Sequence, residues 1–210
     1  MGKIEITKKV LGICATNCYT VVDTETKEAL IIDPADRADV LIRDWKDKGV
    51  TPTAVLLTHG HFDHIGALAG VKKEYPEIRV YAAAEEKEVM ESPALNLSSS
   101  FGAAFTAQAD IYLEDDAEIE VLGRKCKCLL VPGHTKGGMC YYFPEEHVVF
   151  TGDTLFCYSV GRTDFPTGDA KALEEAIREK LFVLPDETLV LPGHDAQTMI
   201  GKEKKGNPYF

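Results

Sequence analysis

Short apolar runs separated by polar segments extend along most of the chain, and they predict strands interspersed with helices. Residues 17–22 and 29–32 are apolar runs that flank a polar segment, a pattern typical of a hairpin. After Pro34, the apolar residues between positions 40 and 45 fall on one helical face, and Gly49 stands where such a helix should end. The chain therefore opens with a predicted hairpin and a helix.

The same patterns predict the remaining elements. A helix over residues 169–181 carries Leu173, Ile177 and Leu181 at four-residue spacing, which indicates an amphipathic helix packed on a core. No element is predicted for the Ser- and Ala-rich residues 96–109 or for the basic tail from residue 201. The other predicted helices cover residues 65–75 and 85–91, and the other strands cover residues 53–57, 78–81, 119–122, 126–131, 139–143, 148–150 and 188–191.

The predicted strands cluster in two halves, each accompanied by helices. No low-complexity tract or Pro/Gly/Ser-rich linker divides the 210 residues, so we expect a single domain over residues 1–210. This order of elements predicts a layered α/β structure with sheets inside and helices outside.

Four of the predicted strands end in the same way: Gly or Pro turns the chain, and a His or Asp follows. Loops at strand ends place such side chains along one edge of a rigid sheet, where ligand sites form. Four independent strand ends with the same chemistry are hard to explain as turns alone. The segments are THGH at residues 58–61, PGH at 132–134, TGD at 151–153 and PGH at 192–194.

The first of these segments extends into THGHFDH and holds four candidate metal ligands, His59, His61, Asp63 and His64. The spacing of His59 and His61 suits an extended loop rather than one face of a helix. Such a loop can aim two imidazoles one way and the Asp–His pair another way. This arrangement favours two metal ions over one.

All the candidate ligands are nitrogen or oxygen donors, which suit zinc, iron or manganese. A carboxylate has two oxygens and a charge, so Asp153 is the best candidate for a bridge between two cations. His134 or His194 taken singly would more often be a loop or core histidine, but three histidines in six residues have no common structural use. His147 lies in a polar turn and is predicted to be a surface residue. The six cysteines lack the spacing of a thiolate metal site, and we expect them to be thiols.

The charge of the chain bears on its partners. Its 23 basic and 34 acidic residues give a net charge of −11, which argues against a nucleic acid or an anionic membrane surface as partner. No apolar segment is long enough to span a bilayer, and the N-terminus lacks the pattern of a signal peptide. We therefore expect a cytoplasmic protein with a small-molecule substrate; the oligomeric state is left open.

The order of these motifs, T-H-x-H-x-D-H followed by a strand-end His, a Gly-Asp and a final Gly-His, resembles that of the metallo-β-lactamase superfamily. The resemblance implies a four-layer αββα sandwich with two divalent metals at the edge between two sheets, zinc first, with iron or manganese as alternatives. It implies one metal held by His59, His61 and His134, and a second held by Asp63, His64 and His194. Asp153 would bridge the two.

Within the superfamily, the sequence is most similar to the glyoxalase II-like hydrolases, also called hydroxyacylglutathione hydrolases. The similarity lies in TGDTLF at residues 151–156, GRTDFP at 161–166 and IGKEK at 200–204. The longer members differ, since they have a C-terminal helical domain that helps to hold glutathione, and a Lys and a Tyr where this chain has Arg162 and Asp164. An Asp at position 153, where some lactamases carry Cys, argues against a β-lactamase.

The resemblance implies hydrolysis of a hydroxyacylglutathione-like thioester by a hydroxide that bridges the two metals. In this hypothesis Asp63 is the catalytic residue that binds metal and orients the nucleophile. Arg162 would bind a substrate carboxylate through a two-pronged contact, with an ion pair to Asp164 as the alternative. The Phe101-Gly102 region is a candidate cover over the site.

Three other functions share parts of this pattern. Persulfide dioxygenases share the fold and a Gly-Arg-Thr-Asp-Phe stretch, and use one iron, which here would be bound by His59 or His61, His134 and Asp153; Pro166 favours the hydrolases. A tRNA-processing nuclease is disfavoured by the negative charge and by the lack of an evident RNA-binding arm. A purely structural metal module is disfavoured because such a site is closed and needs no second adjacent metal.

Overall fold

Two six-stranded sheets face each other in the computed structural model, which describes residues 2–210, and helices cover the outer face of each sheet. The helices are α1 (Ala38–Asp47), α2 (Phe62–Ile65), α3 (Leu68–Glu74), α4 (Lys87–Glu91), α5 (Ala170–Ala176) and α6 (Ile200–Gly206). No helix in the part of the chain that the structure describes is long and apolar enough to cross a membrane.

The first sheet has its strands in chain order. The hairpin of β1 and β2 is antiparallel, as is the hairpin of β2 and β3, whereas β3, β4, β5 and β6 run parallel to one another. The parallel part alternates with the helices α1 to α4. The strands are β1 (Ile4–Leu11), β2 (Thr16–Asp23), β3 (Glu28–Ile32), β4 (Thr51–Leu56), β5 (Arg79–Ala83) and β6 (Ile111–Leu113).

The second sheet has the order β14-β13-β10-β9-β8-β7. All its neighbours are antiparallel except β10 and β13, which run parallel, and a small β11–β12 hairpin stands apart. The strands are β7 (Glu118–Val121), β8 (Arg124–Leu130), β9 (Met139–Phe143), β10 (Val148–Gly152), β11 (Leu155–Phe156), β12 (Ser159–Val160), β13 (Leu189–Pro192) and β14 (Thr198–Met199).

Three apolar clusters separate the four layers. Leu41 and Trp45 of α1 are fully buried against the outer face of the first sheet. Tyr141 and Phe150 belong to the central cluster, where the two sheets meet. Leu173 of α5 lies in the third cluster, on the outer face of the second sheet. The predicted αββα sandwich is thus confirmed.

Most of the predicted elements are present, with differences at helix ends and at the two ends of the chain. The predicted helix at residues 65–75 is wrong in extent, because the chain forms two short helices, α2 and α3, on either side of a break at Gly66-Ala67. The predicted helix at residues 169–181 is α-helical only over α5 and continues as a π-type turn at Ile177–Leu181. Strand β1 and helix α6 were not predicted. His147 is exposed at the surface, as predicted.

Candidate metal centre

The four strand ends singled out by the sequence meet at one edge of the sandwich. Gly152 of β10 is paired with Pro192 of the parallel strand β13, so the residues that follow them, Asp153 and His194, emerge side by side. The backbone N–H of Met139 donates to the carbonyl of Thr58 (2.8 Å), which ties the end of β4 in the first sheet to the second sheet. Strand order therefore brings together residues that are up to 135 positions apart in sequence.

The backbone at these strand ends leaves no room for larger residues. Gly152 has φ of +49°, and a Cβ atom at this position would collide with the side chain of Thr58. A Cβ atom on Gly193 would collide with the carboxylate of Asp153 and lie 2.7 Å from the His64 ring. The Gly-Asp and Gly-His motifs are therefore steric requirements of the site as well as turn signals.

His59, His61 and His134 form the first group of candidate ligands, and all three side chains are buried. Nδ1 of His61 lies 3.0 Å from Nε2 of His134. Nδ1 of His134 is 2.7 Å from the carbonyl oxygen of Arg162, which can only accept, so Nδ1 donates this hydrogen bond and fixes the orientation of the ring.

Asp63, His64 and His194 form the second group. Nε2 of His194 lies 3.4 Å from Oδ2 of Asp63, and Nε2 of His64 lies 3.6 Å from the same oxygen. Thr16 donates its hydroxyl to this oxygen over 2.7 Å and so fixes the carboxylate.

Asp153 stands between the two groups. Its carboxylate lies 3.5 Å from Nε2 of His134 in the first group, and 3.4 Å and 3.3 Å from Nε2 of His64 and His194 in the second. The structure thus brings together all seven residues that the sequence predicts as metal ligands. Their role as ligands stays a prediction.

Two buried carboxylates behind the site were not predicted from the sequence. Asp33 follows β3 and accepts from the N–H and hydroxyl of Thr58 (2.8 and 2.6 Å) and from Nδ1 of His64 (2.8 Å). The Thr58 hydroxyl in turn lies 3.1 Å from Nδ1 of His59. Asp33 therefore orients one imidazole in each group so that its Nε2 faces the centre. Because Asp33 also follows a predicted strand, the strand-end pattern could have found it.

Glu86 is the second of these carboxylates, and it is fully buried. It accepts from the backbone N–H of Gly60 (2.8 Å) and from the hydroxyl of Thr135 (3.0 Å), which neighbour His59, His61 and His134 in sequence. Burial raises its pKa to about 7, although these hydrogen bonds act in the opposite direction. Nothing in its local sequence, a run of charged residues, indicates this role.

Two imidazoles of the first group, those of His59 and His61, favour the neutral form. Burial, with the repulsion of neighbouring imidazoles, lowers the pKa of His61 to about 3 and that of His59 well below its ordinary value. Neutral imidazoles are the form that binds a metal.

The second group is held together by opposite charges. Burial opposes ionisation of these residues, but Asp63, Asp153 and Asp33 outweigh it and raise the pKa of His64 well above its ordinary value. Hydrogen bonds to Asp153 and Asp63 likewise raise the pKa of His194 to about 10 despite burial. Burial also opposes the ionisation of Asp63, yet the charge of His64 and a hydrogen bond from His194 lower its pKa to about 2.

The chemistry of the centre fits divalent cations. Nε2 of His59, His61 and His64 and Oδ1 of Asp153 are buried and have no hydrogen-bond partner. Buried polar atoms without a partner are costly, and two cations, one at each group, would satisfy all four. Nitrogen and oxygen donors of this kind suit zinc, iron or manganese. The groups of potential ligands found in residues 2–210 contain no cysteine.

Arg162, the predicted substrate contact, lies at the rim of the first group. Its guanidinium makes two hydrogen bonds to Asp164 (2.9 and 2.8 Å) and stacks 4.1 Å from the ring centre of Phe165. Phe165 in turn packs edge-on against the rings of His61 and His134. The ion pair considered from the sequence is therefore present, and a substrate role for Arg162 stays a prediction.

This fold and this centre define a class of protein. Residues 11–194 match the family model of the metallo-beta-lactamase superfamily, and the chain belongs to that superfamily. The fold of this family binds divalent metals, and the chain carries the corresponding cluster of His and Asp side chains.

Two curated relatives cover nearly the whole chain. The chain is 38% identical over 202 residues to the probable metallo-hydrolase YqgX of Bacillus subtilis, covering 95% of this chain and 94% of that protein. It is 36% identical over 200 residues to the hydroxyacylglutathione hydrolase GloC of Haemophilus influenzae, covering 92% of each. The chain is thus a hydrolase of the metallo-β-lactamase superfamily, with a glyoxalase II-like relative.

Three solved structures have the same fold over nearly all of the chain. The BLEG-1 B3 metallo-beta-lactamase is 39% identical with a TM-score of 0.92, covering 98% of this chain and 99% of that one. TTHA1623 in a di-iron-bound form is 35% identical with a TM-score of 0.85, covering 97% and 100%. ETHE1 from Myxococcus xanthus is 30% identical with a TM-score of 0.77, covering 97% and 83%.

Proposed function

We propose that the protein is a dinuclear metal-dependent hydrolase that cleaves a thioester such as a hydroxyacylglutathione-like substrate. The observation that carries the proposal is the pair of ligand groups joined by Asp153, because a purely structural site would not need two adjacent metals. The relative described as a hydroxyacylglutathione hydrolase supports the substrate class. We propose zinc as the metal, with iron or manganese as alternatives, and TTHA1623 in its di-iron form keeps iron open.

In this proposal the first metal is held by His59, His61 and His134 and the second by Asp63, His64 and His194, with Asp153 between them. When bound, two divalent cations lower the pKa of a coordinated water and neutralise charge that develops on the substrate. The net reaction consumes one water: the C–S bond breaks, a C–O bond forms, and a carboxylic acid and a thiol are released.

The chain's own residues position the reactants. Asp63 is ionised and fixed by Thr16, so it can orient the attacking water through the oxygen that does not face His194. Arg162 lies at the rim on the His134 side, and its guanidinium can exchange Asp164 for a carboxylate of the substrate. Because the chain has a net charge of −11, we propose that it acts on a small-molecule substrate in the cytoplasm and has no nucleic acid or membrane partner.

The experiment that tests the proposal is metal analysis of protein purified without chelator or metal-binding tag, followed by a panel of thioesters. We expect close to two metals per chain and thioester hydrolysis. Asp153→Ala should abolish turnover and metal retention together. Full activity of that variant would refute the bridging role.

A mononuclear iron persulfide dioxygenase is the second candidate, because the ETHE1 structure shares the fold at 30% identity. One iron per chain, with oxygen uptake in the presence of glutathione persulfide and no thioester hydrolysis, would favour it. The similarity to a structure described as a B3 metallo-beta-lactamase adds a β-lactam to the panel.

A further inference from the structure

A pocket of about 360 Å³ opens beside Asp63, between the tip of the β1–β2 hairpin and the segment that follows α4. Its volume lies near the lower end of the range of about 300–1,000 Å³ for small-molecule sites. The pocket shares Asp63 with the candidate metal centre, whereas the larger cleft near Arg162, about 560 Å³, is lined by none of the seven candidate ligands.

Apolar side chains form most of the pocket's wall. Ile13 and Phe101 are 78% and 53% exposed, and they are two of the six large apolar side chains found exposed among residues 2–210. Phe101 stacks on Phe62, with ring centres 4.3 Å apart, and Phe105 completes this side. Apolar side chains that are exposed together around a pocket mark a binding surface.

The wall is tied to the metal-ligand motif. The backbone N–H of Phe62, between His61 and Asp63, donates to the carbonyl of Asn96 (2.8 Å). The side chains of Asn96 and Ser98 both donate to the carbonyl of Phe105 (2.9 and 3.1 Å), which folds the segment back on itself. The position of the pocket relative to Asp63 is therefore fixed before any ligand binds, which lowers the entropic cost of binding.

The charges around the pocket decide which part of a thioester it suits. Asp36 and Asp63 are the charged residues that line it, and it has no lining Lys, Arg or His. With Asp36 on its wall and no basic side chain in its lining, the pocket offers no counter-charge to an anionic thiol such as glutathione. Arg162 instead lies next to the other ligand group, through the hydrogen bond between its carbonyl and His134.

We infer that this pocket binds an uncharged, apolar acyl group of the thioester, while the thiol part extends toward Arg162. The inference rests on the proposed thioester hydrolysis and narrows its substrate class. Ile13, Phe62, Phe101 and Phe105 select the acyl group by size and apolar character, and Asp63 joins the pocket to the reacting carbonyl.

The test is a series of acetyl, butyryl and hexanoyl thioesters of one uncharged thiol. We expect kcat/KM to rise about fourfold for each added methylene until the pocket is full, because a buried methylene contributes about 0.8 kcal/mol. Phe101→Ser should lower kcat/KM for the hexanoyl thioester about tenfold and flatten the dependence on chain length. Val183→Ser is the matched control: Val183 is 70% exposed, does not line the pocket, and its loss should leave the series unchanged.

Calorimetric titration with alkyl thioethers, in which CH₂ replaces the carbonyl, separates this inference from the proposed function. If the affinity for thioethers rises with the length of their alkyl chain and falls in Phe101→Ser while no thioester is cleaved, the apolar pocket is supported and thioester hydrolysis is refuted. If thioesters are cleaved but neither kcat/KM nor thioether affinity depends on the length of the alkyl chain, the acyl pocket is refuted and the proposed thioester hydrolysis is supported. Faster cleavage of a cationic aminoacyl thioester than of its alkyl counterpart would also overturn the inference.

Discussion

Replacing Asp33 by Asn should weaken metal binding without creating a cavity in the core, because the two side chains have nearly the same size and shape. The carboxylate accepts three hydrogen bonds, from the N–H and hydroxyl of Thr58 and from Nδ1 of His64. Asn has one oxygen and one NH₂ group, so in either orientation the NH₂ faces at least one of these donors. If it faces His64, Nδ1 must accept, and the proton moves to Nε2, the atom that faces the centre.

The magnitude follows from these contacts. Loss of an acceptor behind a metal-binding histidine lowers metal affinity about 10- to 100-fold, or about 1.4–2.7 kcal/mol. A buried donor left without a partner costs a further ~1–3 kcal/mol of folding free energy, in whichever orientation Asn adopts. We expect the larger loss of affinity at Asp63, His64 and His194, because His59 contacts Asp33 only through the Thr58 hydroxyl.

The assay is a competition titration with a chelator, read as metals retained per chain, alongside thermal unfolding of the metal-free protein. Asp23→Asn is the matched control, since Asp23 is also buried and accepts two backbone N–H groups, from Glu25 and Thr26, far from the site. The control should bind metal as the wild type does. If Asp33→Asn retained two metals with wild-type affinity, the orienting role of Asp33 would be refuted.

Gly193→Ala should lower the number of metals retained per chain, because the Cβ atom of the new alanine would displace Asp153 and the His64 ring. Elemental analysis measures this number, and a wild-type metal content would contradict the steric argument. Thr16→Val removes the hydroxyl bound to Asp63 and should lower kcat by a factor of about 10–100 while two metals stay bound, since a hydrogen bond to a charged group contributes about 1.5–3 kcal/mol. In the metal-free protein, the pKa of His194 is raised from 6.5 to about 10, so its ion pairs stabilise the fold fully below pH 6.5, and this stability is lost as pH rises through 10. The pKa of Asp63 is lowered from 3.8 to about 2, so its ion pairs stabilise the fold fully above pH 3.8, and this stability is lost as pH falls through 2. Burial of neutral His59 and His61 adds stability that is lost as pH falls below 6.5. Melting temperatures should therefore peak near pH 6.5, and a Tm that rises from pH 6.5 to 10 would show that the ion pairs of the second group do not control stability.

The candidate ligands could be predicted from the sequence because His134, Asp153 and His194 each follow a short buried strand at a Gly turn, and the other four are clustered within residues 59–64 directly after β4. Such signals are local, and the strand order then brings Asp153 and His194 together through the pairing of Gly152 with Pro192. Strand β1 was missed for a physical reason: it is an edge strand whose side chains are half-exposed along its length, so it lacks a continuous apolar run.

The supporting residues depend on contacts that are distant in sequence. Glu86 belongs to a run of charged residues that looks like a solvated helix face, and only the fold shows that it is buried between Gly60 and Thr135. The segment around Phe101 has no periodicity because its shape comes from Asn96 and Ser98 bonding to the backbone, a pattern that leaves no apolar repeat.

The same supporting residues explain why two chemically similar ligand groups differ in charge. For His59 and His61, burial and the repulsion of neighbouring imidazoles outweigh the attraction of Asp153, so both stay neutral and able to bind a cation directly. His64 is surrounded by Asp33, Asp63 and Asp153, which hold a proton on it. A metal at the second group must displace that proton, whereas a metal at the first need not, so the first group should fill first as pH rises. The difference arises from where the carboxylates lie, and those positions are set by the ends of β3, β4 and β10.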